Sequence, residues 1–152
     1  MALAFAQDTI GFATAPGWVT TTVALPDPLQ ANDQVAWASN VGFAAGDAPG
    51  RWPQQTVPGL PPHGIVIVAS LADVVDDPSS YPDRTLPLSL SDGYFLARGY
   101  EGQPAANVSL QLIYAHVNGK YVLIQVFFGD LEPSADMLVA ADAQLGRLIV
   151  PA

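Results

Sequence analysis

Four aspartates, Asp73, Asp76, Asp77 and Asp83, come nearest in type and spacing to a metal site. Carboxylate oxygens suit a hard cation, which makes the stretch a weak calcium candidate. It lacks the alternating acidic positions, central glycine and closing glutamate of an EF-hand loop, and a solvated acidic turn is the plainer reading. The two histidines stand far apart: His63 follows Pro61-Pro62, and His116 falls near a hairpin tip, beside Tyr114 and opposite Tyr121. Both read first as structural or solvated imidazoles, since without cysteine a zinc site needs both plus distant carboxylates. Arg98 shares one side of the run 94–100 with Tyr94, Leu96 and Tyr100, where a guanidinium among aromatic rings can take a carboxylate from a ligand or from this chain. Trp52 lies in a long stretch rich in proline and glycine, and either caps the core or presents a contact surface. Trp52, Arg98, Tyr114, His116 and Tyr121 are therefore the candidate contacts for a ligand or partner.

No catalytic set is expected. The chain has no Gly-x-Ser-x-Gly elbow, His-Glu-x-x-His helix, phosphate-binding Gly-Lys-Ser/Thr loop or dinucleotide glycine fingerprint, and no cofactor is implied. Asn107-Val-Ser109 matches a glycosylation acceptor but opens a strand, and is discounted. With 5 basic against 14 acidic residues the formal charge is −9, and the basic residues are scattered. Nucleic acid is excluded as a partner, because phosphate contact draws on clustered cations. Absence of cysteine removes disulfides, thiolate metal sites and cysteine nucleophiles. No apolar window approaches the roughly 20 residues that span a bilayer. Half of the residues are hydrophobic, so one soluble globular domain over 1–152 is expected. The compartment reads as cytoplasmic if Met1 is the native start and extracytoplasmic if the chain is a trimmed fragment.

The elements that must position these residues are mostly strands. A hairpin-like opening is expected from 9–13 and 18–25, then a strand over 34–39, continued over 41–44. The stretch 42–64 is a long surface connection with at most a turn or two of helix near 53–57. Residues 64–71 are a continuous apolar run, the pattern of a central strand, and 86–90 and 94–100 read as two shorter strands. The strongest local signal is Asn118-Gly119 between 107–117 and 120–128, the dipeptide best suited to a two-residue type I′ turn. That turn sets the register: His116, Tyr114, Leu112 and Leu110 oppose Tyr121, Leu123, Gln125 and Phe127 on one face. The other face pairs Ala115 with Val122 and Ile113 with Ile124. Both faces are largely apolar, so each needs a cover. One cover is a helix over 135–148, started by Glu132-Pro133-Ser134, with a stripe of Leu138, Ala141, Leu145 and Leu148. The second must come from the N-terminal strands or the middle loops. The fold class expected is α+β: an antiparallel sheet with a C-terminal helix packed on one face.

This order of parts, opening on Phe12-Ala-Thr-Ala-Pro-Gly-Trp18 and closing on a meander and one helix, resembles the PsbP-like superfamily of α/β/α sandwiches. The resemblance implies accessory, assembly or binding roles and carries no catalytic residue set. The function expected is a non-enzymatic accessory or protein-interaction domain, with an unknown protein partner or a homodimer formed on an uncovered sheet face. A small-ligand-binding protein or enzyme with a pocket between sheet and loops is the alternative.

Overall fold

The computed structural model describes residues 9–96 and 104–152. Strand β1 is Gly11–Phe12, β2 Val19–Val23, β3 Gln34–Ser39 and β4 Ile65–Ala72. They are followed by β5 Tyr94–Leu96, β6 Ser109–Val117, β7 Lys120–Phe128, helix α1 Ala135–Leu145 and β8 Leu148–Ile149. Six strands form one antiparallel sheet in the order β2-β3-β4-β7-β6-β5, and β1 pairs with β8 in a second, two-stranded sheet. The architecture is thus α+β, mostly antiparallel sheet with one C-terminal helix.

The hairpin β6–β7 has the register expected from its turn, with His116 opposite Tyr121, Tyr114 opposite Leu123 and Leu112 opposite Gln125. Asn118 and Gly119 both take positive φ, 54° and 77°, as a type I′ turn requires. The apolar run of β4 lies in the middle of the sheet, where both faces are buried. On one face Ile67, Ala69, Ile113, Ile124 and Val126 pack with Met137, Ala141 and Leu145 of α1, and with Ile10, Leu88, Leu90 and Leu148. The other face is covered by the stretch 42–64, whose Val57 and Leu60 close over Val35, Trp37, Val66, Val68, Leu110 and Phe127. That loop is the missing second cover.

Asp47 holds the loop in shape. Its carboxylate accepts from the backbone N–H of Gln55 at 2.6 Å, Thr56 at 3.1 Å and Ala44 at 3.1 Å, and from the Thr56 hydroxyl. One side chain thereby satisfies backbone donors from both ends of a segment with little regular structure of its own.

Four expectations are corrected. The opening strands do not form a hairpin: β1 pairs with β8 and β2 with β3, because the buried Gln144 carboxamide ties Ala13 and Ala15 to the end of α1. No strand runs over 41–44, since Gly42 turns the chain at φ 77° and the Ala44 N–H goes to Asp47 and Thr56 side chains. In place of a strand at 86–90 there is a cis Leu86-Pro87 bond and a 3-10 turn, Leu90–Asp92. There Ser89 and Asp92 form a reciprocal capping box that competes with strand pairing. The helix stops at Leu145 instead of 148 and buries Met137, Ala141, Gln144 and Leu145, leaving Leu138 exposed. Ser134 caps it through the Met137 N–H, and the chain after Gly146 extends into β8.

Candidate functional site

Beyond the reach of Val57 and Leu60, the second sheet face opens into a cleft of about 700 Å³. Its floor is built from alternate residues of adjacent strands, which point to one side. These are Ser70 and Ala72 of β4, Tyr121, Leu123 and Gln125 of β7, and Tyr114 of β6. Around the floor stand Leu29, Gln30, Asp33, Arg51 and Trp52, and Val74 to Asp77 with Ser80 and Tyr81; the Asn32 carboxamide donates to Asp73 and joins two of these segments. Leu29 and Val74 are 82% and 62% exposed, so the walls carry apolar side chains in solvent.

The rings are organised around Tyr81. It meets Tyr114 and Tyr121 edge-on, with centroids 5.2 and 5.4 Å away, while Tyr94 stacks on Tyr114 at 6.3 Å. Burial pushes the Tyr114 phenol up to about 12, helped by its hydrogen bond to Tyr94 and by the charges that Tyr94 and Tyr81 acquire on ionisation. Burial also raises Tyr81. Both are therefore neutral hydrogen-bonding groups at ordinary pH. Trp52 stacks on Phe127 at 6.0 Å and also lines the cleft, so it both caps the core and presents a surface.

The charges of the walls are unequal. Among the described residues of the lining, Asp33, Asp76 and Asp77 stand against one cation, Arg51, which is already held 3.2 Å from Asp33. The Asp33 side chain is only 3% exposed, and its Oδ1 is buried with no hydrogen-bond partner. Asp77 is occupied by the hydroxyls of Ser79 at 2.5 Å and Ser80 at 2.7 Å, which lower its pKa.

The structure therefore brings together Trp52, Tyr114, Tyr121, Asp76 and Asp77 of the residues singled out from sequence. The His116 ring lies against Tyr121, with centroids 4.8 Å apart, but does not line the cleft. The His116 Nδ1 lies 2.7 Å from Asp83, and the backbone of 82–84 bonds to His116 on the outer edge of β6. Arg98 and Tyr100 lie outside the described residues. The four aspartates of the calcium reading do not converge. Asp73 is taken by Lys120 at 2.5 Å and by Asn32, which lower its pKa; Asp77 is taken by serines and Asp83 by His116. Among the described residues no group of three or more histidine or carboxylate side chains is gathered for a metal ion. Also among the described residues, no helix is long and apolar enough to cross a membrane.

Tyr81, Gln125, Ser70 and Leu29 were not singled out from sequence. Gln125 and Leu123 share the face of Tyr114 and Tyr121 in the hairpin register, which is the signal that finds them. The other three depend on contacts between distant segments. Scans against protein-family models, curated proteins and solved structures each return no match.

Proposed function

We propose that the protein is a non-enzymatic accessory domain that binds a protein partner in the cleft on the second face of its sheet. The observation that carries this is an open cleft with a tyrosine-rich floor, flanked by the solvent-exposed Leu29 and Val74. An extended segment laid across the floor can cover these apolar side chains, and tyrosines offer contact area at low cost in conformational entropy. The enzyme alternative draws less support, because the cleft is lined by tyrosine, serine, glutamine and aspartate, with His116 turned toward Asp83. Homodimerisation over an uncovered face also loses ground, since 42–64 covers the most apolar part of that face. A relation to the PsbP-like proteins belongs to the same proposal. It rests on element order, a meander followed by one C-terminal helix, and the second face here carries a loop where that sandwich carries helix.

Selection of random peptides on the wild-type protein, with Leu123→Arg as the comparison, tests the reading. Leu123 is half-buried on the cleft floor, so an arginine there can reach solvent while it charges and obstructs the binding surface. Peptides that bind the wild type are expected to weaken by about tenfold or more on the variant, the effect of a desolvated charge in a contact surface. Peptides that bind both proteins equally would place the interaction elsewhere.

A further inference from the structure

Resting on that reading, the geometry points to a specific chemistry for the partner: the cleft takes a lysine or arginine side chain presented by an extended peptide segment. Three observations converge on a cation. Among the described residues the cleft carries three carboxylates, Asp33, Asp76 and Asp77, against one guanidinium, and that guanidinium is already committed to Asp33. In the same lining, Tyr81, Tyr114 and Tyr121 supply aromatic rings and hydroxyls, which attract a cation and accept or donate hydrogen bonds.

The third observation is the Asp33 side chain. It is 97% removed from solvent, and Arg51 and the Gln30 N–H engage only its Oδ2, leaving Oδ1 buried and unpaired. A buried carboxylate oxygen without a donor is costly, and the wall that holds it is short of an N–H group. Arg51 leaves 42% of its side chain in solvent. A second N–H-bearing cation in the cleft shares its lining with Asp33, Asp76 and the tyrosine rings, and the Asp33 Oδ1, shut off from solvent, comes within its reach on a local shift of that wall. The aliphatic stem of lysine or arginine suits the remaining lining of Leu123, Ala72 and Val75. A net charge of −9 on the whole chain adds long-range attraction for a basic segment.

A peptide is favoured over a free amine because the apolar Leu29 and Val74 of the cleft lining both remain in solvent unless the occupant extends beyond the cationic group.

The test uses four capped peptides, each with leucines flanking one central residue: lysine, its uncharged counterpart norleucine, arginine, or its uncharged counterpart citrulline. Binding is followed through amide chemical shifts of Ser70, Tyr81, Tyr114, Tyr121 and Gln125 in the intact protein. Lysine and arginine peptides are expected to bind about tenfold more tightly than their uncharged counterparts, the order of a partly desolvated cation–π and carboxylate contact. Asp76→Asn, at an exposed position, should weaken the charged peptides about threefold or more. Asp136→Asn, in the first turn of α1, should leave them unchanged. Equal binding of charged and uncharged peptides would overturn the cation assignment while leaving the cleft as the partner site. Equal weakening by Asp76→Asn and Asp136→Asn would overturn it in favour of attraction by net charge alone. Failure of all four peptides to shift the cleft amides would overturn it as well, and the Leu123→Arg comparison then decides separately whether the cleft binds a partner.

Discussion

Gln144 shows how one residue joins parts of the fold that its surroundings in sequence do not connect. It is fully buried in the last turn of α1, donates to the Ala13 carbonyl at 2.9 Å and accepts from the Ala15 N–H at 2.9 Å. Gln144→Leu keeps the size but leaves the Ala15 N–H and the Ala13 carbonyl, on a half-buried and an exposed residue, without their partner, so a loss of about 0.5–1.5 kcal/mol in unfolding free energy is expected. Chemical denaturation of the variant checks this; a change near zero would mean that water replaces the carboxamide. In sequence Gln144 reads as a polar interruption of an apolar stripe, which is why the stripe was drawn through Leu138, a residue the structure leaves exposed. Tyr114 carries the second prediction at this scale. Its phenol is pushed up to about 12 while an unfolded tyrosine titrates near 10, so the neutral form is favoured in the folded state. That contribution is complete below pH 10 and is lost as the pH rises from 10 to about 12. Phenolate absorbance should show late ionisation from Tyr114 and from the likewise raised Tyr81; Tyr114→Phe should remove the Tyr114 share of it, and stability should fall less steeply with pH in the variant.

At the scale of elements, the parts legible in sequence were those whose signal is local. Asn118-Gly119 sets its own turn and thereby the register of β6 and β7, and the apolar run of β4 announces a strand buried on both faces. The placement of Tyr114 and Tyr121 on one face followed from that turn alone. Parts set by distant partners were not legible. The two-residue strands β1 and β8 exist only because they meet each other, and Tyr81 joins the cleft because the acidic segment folds back over the hairpin. The stretch 42–64 was recognisable as irregular but not as a cover, because Val57 and Leu60 show no periodicity that marks an apolar face. Its dependence on Asp47 is testable. Asp47→Ala removes the acceptor for Gln55, Thr56 and Ala44, and should cost about 1–2 kcal/mol, concentrated in the loop. Hydrogen exchange is expected to rise across 44–57 while the amides of β4 and β7 stay protected. Uniform acceleration over the sheet would mean that the loop and the sheet open as one cooperative unit.

For the whole molecule, the two covers of the sheet and the charge of −9 argue the same way about association. With α1 over one face and 42–64 over the apolar half of the other, face-to-face dimerisation has little hydrophobic area to gain, and two copies repel each other at low ionic strength. Light scattering should therefore give the mass of a single chain, the same at low and moderate salt. Calcium should not change it, because Asp73, Asp77 and Asp83 are held by Lys120, by serines and by His116. The melting temperature should likewise be the same in calcium and in chelator. A calcium-dependent rise would mean that these carboxylates regroup around the ion and that the acidic wall of the cleft is built differently in its presence. A calcium-independent dimer would instead direct attention to the sheet edge. The strand β2, Val19-Thr-Thr-Thr-Val23, is an edge without a charged residue, and it reads the same in both directions. Antiparallel pairing with a second copy about Thr21 would therefore set valine against valine and threonine against threonine. A lysine at Thr21, Thr21→Lys, would then restore the monomer by placing two like charges at the centre of that pairing, and a dimer that survives Thr21→Lys would locate the contact on another surface.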